Sequence, residues 1–103
     1  MSDHEETCLE IILHAGNGRA EAFEALRAAK EGDLDRATER LAAAESELAM
    51  AHQTQTRLLS GEAKGVGAAP TLLLAHALDQ LMAAATEKGL IEEMIDLYRR
   101  LGR

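Results

Sequence analysis

Apolar residues return along this chain at steps of three and four, the period of helices that bury one face, through three successive stretches. In the first they are Cys8, Ile11, Ile12, Ala15, Ala22, Leu26 and Ala29. Ser2 and Glu5 have the spacing of a capping box at its start, and Gly32 marks its end. Gly16-Asn17-Gly18 interrupts the composition but not the phase, so the pattern predicts one helix with a thin waist that a neighbour can approach closely. The second stretch follows Asp33 as N-cap and repeats Leu34, Ala37, Leu41, Ala44, Leu48 and Ala51, a coiled-coil-like seam. His52 and Gln55 fall on the continuation of that stripe, with Thr56 beside them. The pattern predicts an end at Ser60-Gly61 and a glycine-rich connector over 61–70.

The third stretch begins around Pro70, tolerated in a first turn, and continues to about Leu101. Its opening, LLLAHALDQLM over 72–82, is apolar on nearly every side, and such a helix is expected to be enclosed on every side. Polar side chains buried without partners cost several kcal/mol, roughly 2–7 by reference state. His76, Asp79 and Gln80 therefore need partners. From Glu87 onward ordinary amphipathicity returns, with Leu90, Ile91, Met94, Ile95 and Tyr98 predicted to face inward. The fold class that follows is all-α, an antiparallel three-helix up-down-up bundle with helices roughly 40 Å long.

One protomer of such a bundle hides a single stripe of each helix. It cannot cover both the seam Leu74, Leu78, Leu81, Ala85 and the opposite one through Leu72, Ala75, Asp79, Met82 and Ala83. The second seam is expected to meet another subunit, and cyclic symmetry then gathers one Asp79 per protomer near a common axis. Carboxylates converging in an apolar core repel, and survive there by sharing protons or binding a cation. An oxygen-ligated divalent metal such as Mg2+ suits that need.

Composition narrows the picture. The 103 residues make one domain, 1–103, with Phe23 and Tyr98 the only aromatics and Pro70 the only proline. A net charge of -7 without a basic stripe argues against a nucleic-acid partner. The early apolar run from Leu9 to Leu13 is too short for a signal-peptide core or a membrane span, so no membrane insertion is expected. The single cysteine, Cys8, suits a reducing, cytoplasmic setting and reads as a small core residue with no base nearby. His4 and His14 read as solvated, no cysteine–histidine spacing suggests zinc, and 61–70 lacks the ending of a phosphate-binding loop.

His76 is the best nucleophile available. Neutral imidazole is plentiful at pH 7 and accepts an acyl or phosphoryl group without prior deprotonation. His52 and Gln55 could supply donors around a transferred group. On the residues alone the alternative stays open: a non-catalytic helical interaction or regulatory module whose His and Asp set oligomer specificity.

Three motifs in order carry a resemblance. They are Gly16, Arg19, Ala22-Phe23 and Ala29 to Asp33; then AHQTQTRL over 51–58; then HALDQLM over 76–82. The chain resembles, over almost its whole length, the enzyme IIA component of the lactose, cellobiose and N,N'-diacetylchitobiose branch of the bacterial phosphoenolpyruvate-dependent sugar phosphotransferase system. The resemblance implies that His76 takes a phosphoryl group on its outer ring nitrogen from the phosphocarrier HPr and passes it to a cysteine of enzyme IIB. It also implies a homotrimer with Asp79 from each subunit around a divalent ion, and supporting roles for His52, Gln55 and Gln80. Two positions depart from the family pattern: Leu78 stands where glutamine is usual, and Gln80 where a second histidine is usual.

Overall fold

The computed structural model of the chain describes residues 2–63 and 71–102. They form three helices, α1 (Asp3–Lys30), α2 (Leu34–Ala63) and α3 (Leu72–Arg100), and no strand occurs among them. The molecule measures 53 × 23 × 19 Å, so helices of about 45 Å lie along its length.

Local chemistry sets the ends. The Ser2 hydroxyl accepts from the Glu5 N–H at 3.1 Å while the Glu5 carboxylate turns back to the Ser2 N–H at 3.3 Å, the reciprocal box the spacing predicts. Gly32, at φ 86, turns the chain out of α1 in the left-handed region open to glycine. Asp33 caps α2 by accepting from the Arg36 N–H at 3.1 Å. α2 runs past the predicted stop at Ser60-Gly61 to Ala63; the rest of the expected connector, including Pro70, lies outside the described residues. α3 starts at Leu72 with Thr71 as N-cap, its hydroxyl accepting from the Leu74 N–H at 3.0 Å.

Polar pairs record how the helices lie. Between α1 and α2 they join Glu10 to Arg57, His14 to Glu47 and Glu21 to Arg40, so numbers rise on one helix as they fall on the other. Between α1 and α3 they join His4 to Thr71 and Arg19 to Glu87, rising together. Between α2 and α3, Thr38 meets Arg99 and Glu45 meets Lys88, again in opposite sense.

The core has two sections. One gathers Cys8, Ile11, Ala15, Leu48, Ala51, Ala77, Leu81 and Ala84. The other gathers Ala22, Ala25, Ala28, Ala29, Ala37, Ala44, Ile91 and Ile95. Ten of the sixteen buried apolar residues among those described are alanine, so the helices approach closely and the few larger side chains carry most of the apolar burial. The predicted stripes of α1 and of α2 as far as Ala51 are the observed ones. Beyond Ala51 the stripe steps to Thr54 and Leu58, leaving His52 exposed and Gln55 half-buried. A three-residue step there matches the 3.6-residue turn, and Thr54 satisfies its buried hydroxyl on the Met50 carbonyl at 3.1 Å. In α3, Ile91 and Ile95 are buried as predicted, but Leu90 and Met94 face out.

The waist is helical throughout, and its second glycine has a packing reason. A Cβ at Gly18 would meet Leu48 Cγ and Cδ2 at 2.8 Å, while one at Gly16 would meet nothing within 4 Å. Opposite signs are therefore expected in urea unfolding. Gly16→Ala gains about 0.5–1 kcal/mol of helix propensity. Gly18→Ala loses that gain to overpacking of about 1–3 kcal/mol against the buried Leu48. Equal stabilisation by both would refute the close approach.

Candidate functional site

α3 sends Ala77, Leu81 and Ala84 into the core, and the two helices beside it cover only that side. The opposite side is open: Leu72 is 88% exposed and Met82 65%, and Ala75, Asp79 and Ala83 are exposed with them. This is the seam that one protomer was expected to leave uncovered. His76 and Asp79 stand at the surface, and Gln80 is half-buried. Neither His76 nor Asp79 makes a side-chain hydrogen bond or ion pair among the described residues, so both are free to engage something outside the chain.

His76, Gln80 and Glu87 recur at helical spacing along one flank of α3. Glu87 takes a forked contact from Arg19 of α1, with Nη2 donating to Oε2 at 2.8 Å and Nε 2.7 Å from Oε1, so this flank borders α1. His52 lies on the other flank, in a shallow hollow with Leu48, Ala85, Lys88 and Gly89. Its Nδ1 is 3.4 Å from Gln55 Oε1, a long contact within α2. The protomer thus places Gln80 along the line of His76 and His52 on the flank facing α2.

Exposed apolar side chains concentrate on the outer faces of the helices that border His76. Leu9, Leu13 and Phe23 of α1 and Leu72, Met82, Leu90, Met94 and Leu97 of α3 are all exposed. Exposed apolar side chains in such number mark a surface suited to binding. Within 72–83 Asp79 is the only acid. No three His, Cys, Asp or Glu side chains of the described residues converge as a metal site within one chain.

Two histidines expected to be solvated are half-buried and bonded. His4 Nε2 stands 3.1 Å from Thr71 Oγ1 and 3.7 Å from Cys8 Sγ, so a base does stand beside the thiol. Cys8 is nevertheless fully buried, and burial pushes its thiol up, as fits a core residue. His14 Nδ1–H donates to Glu47 Oε1 at 2.8 Å, and Asn17 Nδ2 donates to the same oxygen at 3.2 Å. These contacts join residues 33 and 67 apart, and no short-range pattern announces them.

The His14 and Asn17 bonds hold the Glu47 carboxyl below the usual range. Stability from a lowered carboxyl is complete above its unfolded pKa and is lost as pH falls through the folded value. Wild type is therefore expected to exceed Glu47→Gln in stability at pH 6, with the gap closing below about pH 4. Urea midpoints at several pH values measure this; a gap that persists at pH 2 would exclude the carboxylate as its source.

The described residues are helical and present on an exposed apolar side of α3 a histidine unpaired among them; comparison with known proteins places the chain in a family. The family described as PTS system, Lactose/Cellobiose specific IIA subunit matches residues 6–99. The chain belongs to that family, and is thus a phosphocarrier component of the phosphotransferase system. It is similar to the lichenan-specific phosphotransferase enzyme IIA component of Bacillus subtilis, 46% identical over 97 residues, 94% of this chain and 88% of the relative. The crystal structure of the cellobiose-specific enzyme IIA from Bacillus anthracis superimposes with a TM-score of 0.94 at 41% identity, covering 99% of this chain and 94% of that one. The IIA(Chitobiose) chain solved in complex with HPr, from the N,N'-diacetylchitobiose branch of the Escherichia coli system, has a TM-score of 0.86 at 32% identity, with both chains covered in full.

Proposed function

We propose that the chain is a cytoplasmic carrier that takes a phosphoryl group from phospho-HPr onto His76 and passes it to the cysteine of an enzyme IIB, for uptake of a lactose-, cellobiose- or chitobiose-type sugar. The observation that carries this reading is the exposed His76, unpaired among the described residues, on an apolar face in a chain of this family. The E. coli relative solved with HPr supports HPr as the donor.

In the first transfer the donor's nitrogen–phosphorus bond breaks as one forms to His76, and the donor imidazole leaves. In the second, the His76–phosphorus bond breaks as the cysteine thiolate is phosphorylated. Such transfers depend on in-line positioning and charge stabilisation more than on bond-making by the protein. His76 therefore needs an accessible face, partners that fit around it and exclusion of water, which the bordering apolar side chains provide. Gln80, one turn along the same flank, can donate to the ring or the phosphoryl oxygens.

The same reading makes residues 1–103 a single domain, an up-down-up bundle whose helix directions rest on the polar pairs described above. Three copies would cover the exposed seam of Leu72, Ala75, Met82 and Ala83 and bring the flank bearing His52 and Gln55 to the His76 of a neighbour. Asp79 fits a divalent ion on the axis, because each protomer supplies from an apolar stripe one carboxylate unpartnered among the described residues; Mg2+ would neutralise the converging charges. Asp79→Leu is expected to keep the trimer by light scattering and to bind no divalent metal by elemental analysis. Dissociation of that variant would count against the axial placement. Intact-protein mass after incubation with phosphoenolpyruvate, enzyme I and HPr tests the carrier reading: one acid-labile phosphoryl group per chain is expected, and none would overturn it.

A further inference from the structure

His4 is the one member of the first turn of α1 whose side chain reaches α3 among the described residues. Its Nε2 stands 3.1 Å from the hydroxyl of Thr71, and that hydroxyl is the cap of α3, accepting from the Leu74 N–H at 3.0 Å. The Thr71 carbonyl accepts from the Ala75 N–H at 3.1 Å, and the next residue is His76. We propose that His4 is a positioning residue for phosphoryl transfer: it pins the N-cap Thr71 to α1 and so holds the turn from which His76 projects in the geometry that the donor docks against. The inference rests on the reading of His76 as acceptor.

Helix ends fray because their first four N–H groups lack intrahelical partners. His76 is only five residues past the cap, so opening of the first turn displaces it, whereas a residue in mid-helix would be unaffected. The His4 ring is itself held. Cys8, one turn further along α1 and fully buried, touches Nε2 at 3.7 Å. The other nitrogen, Nδ1, is shut off from solvent without a partner among the described residues. An orphaned buried N–H is rarer than an orphaned acceptor, so the proton belongs on Nε2, where it is donated to Thr71. The Thr71 oxygen then accepts from both His4 and Leu74, filling its two acceptor sites. One oxygen thus ties the start of α3 to its own backbone and to α1.

Amide hydrogen exchange on the full chain, with His4→Ala and His4→Gln beside it, tests the anchor. In His4→Ala the amides of residues 74–76 should exchange about fivefold faster, the scale of losing a capping contact, while those of Ile91 and Ile95 keep their rates. His4→Gln, whose amide can reach Thr71, should return them to within about twofold. In transfer from phospho-HPr, His4→Ala should raise KM about threefold and leave kcat unchanged, because the donor selects the ordered turn. Unchanged exchange at 74–76, a uniform rise along α3, or no recovery in His4→Gln would overturn the anchor. A fall in kcat at constant KM, or an unchanged KM, would overturn its part in transfer. If wild type accepts no phosphoryl group the carrier reading fails by itself, and the exchange rates still decide whether His4 holds the turn.

Discussion

His76→Ala is expected to gain no phosphate where the unchanged chain gains one group. The other three histidines are engaged or displaced. His4 is bonded to Thr71 with its second nitrogen buried, His14 is bonded to Glu47, and His52 lies on the far flank against Gln55. His76 alone combines exposure with a ring free of partners among the described residues. Because it is exposed, its removal should alter protomer stability by no more than about 0.5 kcal/mol, so lost uptake would be a chemical loss and not a folding one. Intact mass with urea unfolding of the same sample reads both. Uptake by His76→Ala at the wild-type rate would move the acceptor elsewhere, with His52 the next to examine.

Leu81→Ala is expected to produce the largest loss of stability, about 3 kcal/mol. Leu81 is 1% exposed in the core section with Cys8, Ile11 and Leu48, so its truncation leaves a cavity there. Its neighbour Met82 is 65% exposed in the protomer and gives a useful contrast. Met82→Ala should change stability only through assembly, so its effect should vary with protein concentration, while that of Leu81→Ala also includes a constant part. Urea midpoints at two concentrations separate them. A Leu81→Ala loss below about 1 kcal/mol would mean that the core near the site is looser than its burial indicates.

Much of the bundle was legible in the sequence because helical period and capping chemistry are local. The Ser2–Glu5 box, the stop at Gly32, the Asp33 cap and the stripes ending at Ala29 and Ala51 needed no knowledge of the partner helix. The continuation through His52 and Gln55 failed because one residue of phase separates the stripe from its flank, and Thr54, the residue that packs, looks no more apolar than its neighbours. The exposure of Leu90 and Met94, expected to face inward, has a different cause. Apolar pattern reports what must leave water in the final assembly, and a single chain has only two other helices to offer α3. The motif containing His76 could be read from order and spacing, but its separation from His52 could not, since it depends on which flank of α3 faces which neighbour. His4 was read as solvated for a similar reason: its partner, Thr71, is 67 positions away.

The link between α1 and α2 occupies three residues, 31–33, whereas α3 is reached only after 63. A ribosome delivers the chain from its N-terminus, so the first two helices can pair while the third is still in the exit tunnel. Until then the side of α1 that later takes Ala77 and Leu81 lacks its cover, and Cys8 and Ile11 have only α2 against them. The nascent protein becomes competent last, in the final third of its synthesis, and a chain truncated after α2 would be an adhesive hairpin, a natural client for a chaperone that recognises apolar helices.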